Sequence, residues 1–287
     1  MNEAMYIAPP GKRFRLKDFD PADTGSYTRK DDAVDKLERD IKELATLQDV
    51  LYAQNSYSLL IIFQAMDAAG KDSVIKHVMS GVNPQGCQVV SFKQPSAEEL
   101  SHDYLWRCVR ALPAHGRIGI FNRSYYEEVL AVRVHPEFLK AQRLPETARP
   151  AKLWKRRFEE INNFEQYLTH NGTVVVKFFL NVSQKEQSRR FLERIDTRDK
   201  NWKFSSADLK ERARWDSYME AYEDAIRHTT TPWAPWHVIP ADHKWFTRVV
   251  VAGTIVKILR SLPLAYPKVS KEQRSELSKA KRILLGS

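Results

Sequence analysis

Short apolar runs alternate with amphipathic segments along most of the chain. Residues 58–64 (SLLIIFQ) are almost entirely apolar, and residues 173–180 hold the densest set of β-branched side chains. Apolar runs of this length predict buried strands, whereas apolar positions three or four residues apart predict helices that pack on a sheet. The predicted strands cover residues 58–64, 87–92, 117–121, 173–180 and 236–240. The predicted helices cover residues 31–53, 72–80, 96–112, 154–168, 183–195, 205–227 and 245–262.

The alternation of strands and helices predicts the fold class. A strand followed by a helix and a second parallel strand forms a right-handed crossover, and repeated crossovers build a parallel sheet that is covered on both faces. We therefore expect an α/β protein. In such sheets ligands bind beyond the carboxyl ends of the strands. The residues that directly follow each predicted strand are thus the first candidates for a functional site.

Composition and charge narrow the class of partner. The chain has 287 residues, of which 43% are hydrophobic and 29% charged, as in soluble globular proteins. Lys and Arg number 46 against 36 Asp and Glu, so the net charge is +10 and favours a polyanionic partner. Nucleic acid, nucleotides, an anionic membrane and inorganic phosphate chains all meet this description. A basic surface kept for solubility is the alternative.

The sequence also predicts a cytoplasmic location. No apolar stretch reaches the roughly 20 residues that a membrane-spanning helix needs, and the N-terminus has no apolar core resembling a signal peptide. The two cysteines, Cys87 and Cys108, are too far apart for a metal knuckle or a redox pair. We expect both thiols to be reduced and the protein to have no membrane partner.

The first predicted strand runs into a loop with the outline of a phosphate-binding loop. Residues 61–73 read IIFQAMDAAGKDS, an apolar run that ends in small residues, a glycine and a lysine. In such loops backbone N–H groups and a helix N-terminus hold anionic oxygens while a lysine neutralises them. The expected phosphate contacts here are Met66, Ala68, Ala69, Gly70, Lys71, Asp72 and Ser73.

This loop departs from the standard pattern G-x-x-x-x-G-K-[ST]. Ala65 stands in place of the first glycine, Asp72 in place of the hydroxyl residue that ligates magnesium, and a further carboxylate, Asp67, lies inside the loop. A carboxylate facing phosphate is repulsive unless a divalent cation lies between them. The sequence thus predicts a loop that binds phosphate through metal at Asp67. A turn-forming Asp67 and a solvated Lys71 are the alternatives.

A second polar turn follows the third predicted strand. It reads Asn122-Arg123-Ser124, and P-loop enzymes often place an acid that organises magnesium at the position of Asn122. Glu127 and Glu128 could supply the charge that an amide lacks, and Arg123 offers a planar fork suited to phosphate oxygens. We expect this turn and the phosphate loop to converge on one crevice at the carboxyl edge of the sheet.

Residues 183–214 are strongly basic, with ten Lys and Arg against six Asp and Glu. A solvated helical hairpin explains much of this charge. Arg190 and Arg194, however, are spaced i, i+4 and predict one cationic face of a lid that closes over phosphates. A lid of this kind excludes water and so protects a phosphoryl donor from hydrolysis.

Longer motifs give the sequence a resemblance to a known family. The chain resembles the polyphosphate kinase 2 family, bacterial enzymes that move phosphate between inorganic polyphosphate and nucleotides. The resemblance covers nearly all of residues 12–265. The similar segments are AMDAAGKDS (65–73), FKQPSAEELSHDYLWRCVRALPAHGRIGIFNRSYYEEVLAVRVHPE (92–137), KFFLNVSQKEQSRRFLERID (177–196), NWKFSSADLKERARWDSYMEAYEDAI (201–226) and APWHVIPADHKWF (234–246).

The resemblance implies a P-loop fold of the thymidylate-kinase type, with three α/β/α layers and a helical lid over residues 183–227. The resemblance also implies a homo-oligomer, either a dimer or a tetramer. Composition divides the chain, because the first 30 residues are rich in Pro, Gly and Asp and the last residues are polar and charged. We therefore expect an N-terminal extended arm (1–30), a phosphotransferase domain (31–265) and a charged C-terminal tail (266–287).

The resemblance further assigns roles to residues. Asp67 holds Mg²⁺, or Mn²⁺ in its place, against polyphosphate, and Lys71 is the catalytic lysine. Asn122 replaces the aspartate of many members but is similar to the class III subgroup, which reads FNRSxYE and phosphorylates both AMP and ADP. Glu127 stands where ADP-only relatives have a small or amide residue. The remaining residues that resemble the family's phosphate and nucleotide contacts are Arg107, Arg123, Arg194, Lys203 and Asp208.

Three hypotheses of function follow. The first is a reversible, Mg-dependent polyphosphate:nucleotide phosphotransferase that converts AMP to ADP and ADP to ATP. The second is a nucleoside monophosphate kinase that uses ATP as donor. The third is a nucleic-acid-binding module, which the charge of +10 allows but which no recognisable nucleic-acid-binding motif supports. We expect polyphosphate and adenine nucleotides as partners, and no nucleic acid.

Overall fold

The computed structural model describes residues 3–145 and 152–286. Its centre is a five-stranded sheet in the order β2-β3-β1-β4-β5, and every neighbouring pair of strands is parallel. The predicted α/β class with a parallel sheet is therefore confirmed. The strands are β1 (Ser58–Gln64), β2 (Cys87–Ser91), β3 (Ile118–Asn122), β4 (Thr173–Asn181) and β5 (Trp236–Pro240).

The central strand explains why the apolar runs in the sequence are continuous. All seven residues of β1 are buried, because helices cover the sheet on both faces. In the register, Phe63 of β1 lies between Asn122 of β3 and Phe178 of β4. The polar residues that follow β1 and β3 therefore emerge at the same edge of the sheet, as the sequence predicted.

Two groups of helices cover the sheet. The helices α1, α2 and α11 pack together in one group, and α7 packs on β4 and on α10 in the other. The predicted helix at 154–168 is confirmed as α7. The helices are α1 (Asp31–Gln54), α2 (Lys71–Val78), α3 (Ala97–Leu100), α4 (Trp106–Val109), α5 (Ala131–Val134), α6 (Pro136–Ala141), α7 (Leu153–His170), α8 (Gln184–Asp196), α9 (Ser206–Arg212), α10 (Trp215–Thr229), α11 (Lys244–Ser261) and α12 (Lys271–Leu284).

The predicted single helix at 96–112 is wrong. Ser96 does form the expected capping box with Glu99, but the helix that it begins, α3, ends after one turn. Asp103 then starts a new turn, because its Oδ1 accepts the N–H of Leu105 at 2.9 Å and its carbonyl accepts the N–H of Trp106. A short polar side chain that bonds to nearby backbone competes with helix continuation, so the segment becomes α3 and α4.

The predicted helix at 205–227 also divides, into α9 and α10. No residue of α9 is buried, whereas α10 buries a stripe that includes Tyr222 and Ile226. The apolar periodicity that predicted the helix thus belongs to its second half. The lid segment contains two exposed polar pieces, α9 and the 3-10 turn Arg198–Lys203.

The two ends of the chain differ in how they meet the sheet. In the described part of the N-terminal arm, Tyr6 and Phe14 are buried, and Ile7 forms an antiparallel bridge with His237 at the β5 edge. At the other end, α12 is exposed along its whole length. No described helix combines the length and apolar character required to cross a membrane.

Candidate active site

The loop between β1 and α2 has the backbone geometry of an anion cradle. Ala68 has φ = 61° and Gly70 has φ = 109°, so two residues adopt the left-handed region. Gly70 takes this conformation without the steric cost that a β-carbon would bring. It stands directly before the first residue of α2, and the loop therefore presents the N-terminus of this helix to the crevice.

Lys71 is held over the loop by backbone oxygens. Its Nζ donates to the carbonyl of Ala65 at 2.9 Å and to that of Met66 at 3.4 Å. In the described chain no carboxylate oxygen lies within 4.0 Å of this ammonium. Burial and, to a smaller extent, the charge of Arg123 lower the pKa of Lys71 to about 8, although the more distant carboxylates of the site act in the opposite direction. The result is a cation that lacks a direct anionic partner.

Arg123 joins the two polar turns. Its Nη2 donates to Oδ1 of Asp67 at 2.6 Å and its Nη1 to Oε2 of Glu127 at 3.2 Å. Its backbone has φ = 64°, and its N–H donates to the carbonyl of Phe63 at 3.0 Å. Glu127 also accepts from Gln64 Nε2 at 3.0 Å. The predicted convergence of the phosphate loop and the turn after β3 is confirmed.

The carboxylates around Arg123 keep it charged. The charge of Glu127 contributes most to raising the pKa of Arg123, and the charge of Asp67 adds to it, whereas burial acts in the opposite direction. The guanidinium is thus a permanent positive charge at the mouth of the loop. Two carboxylates that bind it tightly would have to share it with an entering phosphate.

Asn122 meets the loop through its amide. Its Nδ2 donates to Oδ1 of Asp72 at 2.6 Å, so Asp72 faces the turn after β3 from the first turn of α2. Glu128, in contrast, is buried and accepts from Gln142 and from Arg157 Nε at 3.0 Å. The expectation that Glu128 supplies a charge beside Asn122 is therefore wrong, because this carboxylate is already neutralised elsewhere.

The carboxylates of the crevice suit a cation that is shared with phosphate. The described residues contain no group of three or more His, Cys, Asp or Glu side chains that could hold a metal ion. Asp67 is nevertheless close enough to Asp208 for its charge to raise the pKa of Asp208, after the larger effect of burial. Mg²⁺ binds through one or two carboxylates together with substrate phosphates and water. These residues fit that kind of site.

Arg190 does not line the crevice as predicted. Only 3% of it is exposed, and all five of its N–H donors are used within the protein. Nε donates to Glu186 at 2.7 Å, Nη1 to the carbonyls of Ala68 and Ala69, and Nη2 to the carbonyls of Ala241 and Asp242. Arg190 therefore binds carbonyls of the phosphate loop and joins the loop to the segment after β5.

The other predicted lid residues do lie together. Nη1 of Arg194 is 3.5 Å from Oδ2 of Asp208 and 3.4 Å from the carbonyl of Lys203. Lys203 itself is exposed, with its Nζ 5.1 Å from the ring centre of Trp202. Helix α8, which carries Arg194, is tied to the loop because Gln187 Nε2 donates to the carbonyl of Asp67 at 2.9 Å.

A cavity of about 320 Å³ opens beside the loop, on the β3 side. Arg107 lies at this cavity, where its Nη1 donates to the carbonyl of Lys93 at 2.7 Å and its guanidinium lies 5.4 Å from the ring centre of Phe92. The predicted site residues that line it are Met66, Asp67, Arg107, Arg123 and Glu127. Its apolar lining includes Leu100, Tyr104, Leu130, Phe138 and Tyr222. A cavity that is apolar at one part and charged at another fits a nucleotide.

Comparison with known proteins agrees with this geometry. The family model for Polyphosphate kinase 2 (PPK2) matches residues 27–263, which include every element of the site. The chain belongs to the polyphosphate kinase 2 family. The structure has a TM-score of 0.89 to a crystal structure of polyphosphate kinase 2 from Arthrobacter aurescens TC1, at 40% identity, with 98% of this chain and 97% of that chain covered.

Two curated relatives cover almost the whole of this family member. It is 49% identical over 283 residues to an ADP-polyphosphate phosphotransferase of Rhodopseudomonas palustris, covering 96% of this chain and 98% of the relative. It is 43% identical over 264 residues to an AMP/ADP-polyphosphate phosphotransferase of Meiothermus ruber, covering 92% and 95%. The chain is a phosphotransferase with a P-loop-kinase-like fold, as the resemblance implied.

A buried ion pair next to the active site was not predicted from the sequence. Lys177 and Glu165 are both fully buried, and Nζ of Lys177 lies 2.6 Å from Oε2 of Glu165. Tyr125 and Tyr126, which directly follow the Asn122-Arg123-Ser124 turn, both donate to Oε1 of Glu165. The pair therefore anchors the segment that carries Arg123. The available signal was a lysine inside the otherwise apolar strand at 173–180, since such a lysine needs a buried partner.

Proposed function

We propose that the protein transfers the terminal phosphoryl group of inorganic polyphosphate to AMP and to ADP, giving ADP and ATP. The observation that carries the proposal is Lys71, a cation on the phosphate loop with backbone carbonyls but no carboxylate as partners. Arg123 is near enough for its charge to lower the pKa of Lys71, and Ala65 and Met66, whose carbonyls accept from Lys71, line the cavity. The names of the relatives from Rhodopseudomonas palustris and Meiothermus ruber support polyphosphate and adenine nucleotides as substrates.

The chemistry requires neutralisation of charge more than proton transfer. An oxygen of the acceptor's terminal phosphate attacks the end phosphorus of the chain, the bond from that phosphorus to the bridging oxygen breaks, and the shortened chain leaves with the electron pair. The attacking oxygen is already anionic at neutral pH, so a general base contributes little. Lys71 and Arg123 stabilise the charge that spreads over the transferring group and the leaving oxygen.

A divalent cation completes this arrangement. We assign Mg²⁺, which Mn²⁺ can replace, to Asp67. Asp208 is near enough for the charge of Asp67 to act on it, while Asn122 donates to Asp72. When bound, the cation would neutralise phosphate oxygens that otherwise repel Asp67. An ion pair with Arg123 holds the Asp67 carboxylate in place before substrate enters.

Acceptance of both AMP and ADP rests on Glu127. Gln64 and Arg123 hold its carboxylate at the edge of the cavity, where an acceptor's phosphates would approach the loop. The two curated relatives differ in the acceptors that their names give, since one is named for ADP alone and the other for AMP and ADP. We propose that this chain, like the second relative, accepts both AMP and ADP. Glu127→Gln should therefore change the ratio of AMP to ADP turnover. Equal loss of turnover with both acceptors would contradict this role.

The other predicted site residues lie on the phosphate loop and in the segments around it. Met66, Ala68, Ala69, Gly70, Asp72 and Ser73 form the phosphate loop, and Arg107, Arg194, Lys203 and Asp208 contact phosphate or nucleotide when the lid at 183–227 closes. The domain at 31–265 acts in the cytoplasm without nucleic acid or membrane. A homo-oligomer is also proposed, since α12 exposes Leu277, Ile283 and Leu284 along a helix with no packed face.

A donor and acceptor panel tests the function. Purified protein with Mg²⁺ and either AMP or ADP is given polyphosphate or ATP as donor, and products are separated by ion-exchange chromatography. We expect polyphosphate to yield ADP from AMP and ATP from ADP. Transfer from ATP to AMP with no use of polyphosphate would support the nucleoside monophosphate kinase and overturn the proposal.

A further inference from the structure

Arg248 lies beside the first turn of α2 and is not among the residues that line the cavity. It belongs to the second turn of α11, a helix that packs on α2. Its Nη2 donates to Oγ of Ser73 at 3.0 Å, and Ser73 stands in the first turn of α2, two residues after Lys71. The guanidinium is therefore next to the place where the loop presents phosphate-binding groups.

The charge of Arg248 is not compensated within the described chain. Among the described residues Ser73 alone is hydrogen-bonded to it, no carboxylate lies within 4.0 Å of it, and its Nε is buried without a partner. Burial lowers its pKa, and no neighbouring charge counteracts that effect. By contrast, Arg157 on α7 pairs with Glu128 and Glu160. A half-buried cation without an anion costs free energy unless a ligand supplies one.

Lys244 places a second cation on the same face of α11. It is one turn before Arg248, at spacing i, i+4, so both side chains project to the same side of the helix. Its nearest carboxylate oxygen, on Glu193, is 3.9 Å away, at the limit of an ion pair. We call Arg248 and Lys244 together the α11 cation pair.

The α11 cation pair lies outside the cavity that is assigned to the acceptor. The described residues that line the cavity follow β1, β2 and β3 or belong to α9 and α10, and none of them belongs to α2 or α11. Helix α11 instead packs on α1 and α2. Phosphoryl transfer requires the acceptor and the leaving part of the donor to lie in line on either side of the transferring phosphorus, so the rest of the donor extends away from the cavity.

We propose that the α11 cation pair binds the part of the polyphosphate donor that lies beyond the transferred phosphate. This inference rests on the proposed function and names the course of the donor across α2 and α11. A donor of many phosphates reaches the pair, whereas a donor of three phosphates ends near the loop. Arg248 and Lys244 therefore increase affinity for long chains and leave the acceptor site unchanged.

The experiment compares Arg248→Gln with Arg260→Gln. Arg260 lies on the same helix, is exposed and pairs with Glu43, so the control makes the same chemical change away from the loop. ATP formation from ADP is measured with long-chain polyphosphate and with tripolyphosphate as donors. We expect Arg248→Gln to raise KM for the long chain by about tenfold, to raise KM for tripolyphosphate much less, and to leave KM for ADP unchanged. Arg248→Lys and Lys244→Gln should show smaller increases.

Two further measurements separate binding from folding and from activity. Thermal unfolding of ligand-free protein should show no loss of stability in Arg248→Gln, because the lost charge had no anionic partner. Equilibrium binding of long-chain polyphosphate without nucleotide, followed by tryptophan fluorescence, should weaken in Arg248→Gln and not in Arg260→Gln. Equal binding by the two variants, or a chain-length-independent increase in KM, would overturn the inference. If the unaltered protein binds polyphosphate but transfers no phosphate from it, the proposed function is wrong. The comparison of polyphosphate binding by the two variants would still test the role of Arg248.

Discussion

Lys177, which is fully buried, and Lys71, which is half-buried, show two different uses of a positive charge. Lys177 in β4 donates to Glu165 at 2.6 Å, to the hydroxyl of Tyr126 at 2.9 Å and to the carbonyl of Thr229 at 2.7 Å. Lys71 at the end of the loop after β1 donates only to backbone carbonyls. Burial lowers the pKa of both lysines. The difference between them is the carboxylate.

The carboxylate decides whether each lysine stabilises the fold or is available to bind a ligand. A lysine with all three donors satisfied and a carboxylate beside it has no remaining interaction for a ligand, and it fixes the segments that it joins. A lysine held by carbonyls keeps its charge for an anion that has yet to bind. The same contrast holds between Arg190, which is fully satisfied behind the loop, and Arg248, which is not.

The largest expected effect is the loss of the supporting lysine. Lys177→Met leaves Glu165 buried without its counter-ion, and breaking a buried pair on one side costs about 3–5 kcal/mol of unfolding free energy. Urea unfolding followed by circular dichroism measures it. The double variant Lys177→Met/Glu165→Met should regain most of the loss, because neither charge then remains buried. A single variant as stable as the parent would contradict the supporting role.

Loss of Lys71 should lower activity without lowering stability, the opposite of what we expect for Lys177. Lys71→Met removes a cation from the transition state, which we expect to lower kcat by about 10²–10³-fold, as when one oxyanion-stabilising donor is removed. Its unfolding free energy should stay the same or rise, since the side chain loses a charge that lacked an anionic partner. Steady-state ATP formation and urea unfolding on the same preparation measure both. Transfer at the parent rate would exclude Lys71 from the reaction.

Arg190→Gln should combine both kinds of loss. The carbonyls of Ala68 and Ala69 lose their donor, and an unsatisfied buried group costs about 1–3 kcal/mol of unfolding free energy. Because those carbonyls fix the loop, kcat should fall in the same variant, while Lys71→Met lowers kcat alone. A loss of stability with an unchanged kcat would show that Arg190 does not position the loop.

The pH dependence is the smallest of these effects. The pKa of Lys71 in the free protein is about 8, so kcat/KM for polyphosphate should fall as pH rises through 8, where the ammonium loses its proton. Bound phosphate favours the charged form, so kcat should stay level to a higher pH. Initial rates at saturating and at low polyphosphate across this range measure both. Parallel profiles would contradict the assignment of this pKa to Lys71.

The sequence predicted those features that depend on local pattern. The five strands, the phosphate loop and the convergence of Asp67 with Arg123 follow from apolar runs and from what succeeds each strand. The break at Asp103 was missed, because its competing side-chain hydrogen bond leaves the apolar periodicity unchanged.

The direction in which an arginine points was not predictable. Arg190 and Arg194 are one turn apart on α8, yet Arg190 turns into a pocket of backbone carbonyls while Arg194 faces Asp208. Those acceptors come from the phosphate loop and from the segment after β5, more than 50 residues away on either side. Only tertiary packing brings them together, and spacing within one helix cannot report it. The same reason hid the partner of Lys177.

A titration of the two lysines by NMR, with the side chains labelled at 13Cε, tests the central claim most directly. In the free protein the ammonium of Lys71 should titrate with a pKa of about 8. Tripolyphosphate with Mg²⁺ should raise that value, because a bound anion stabilises the charged form, while the resonance of Lys177 should not respond. An unchanged pKa for Lys71 in the presence of the phosphate chain would contradict the account.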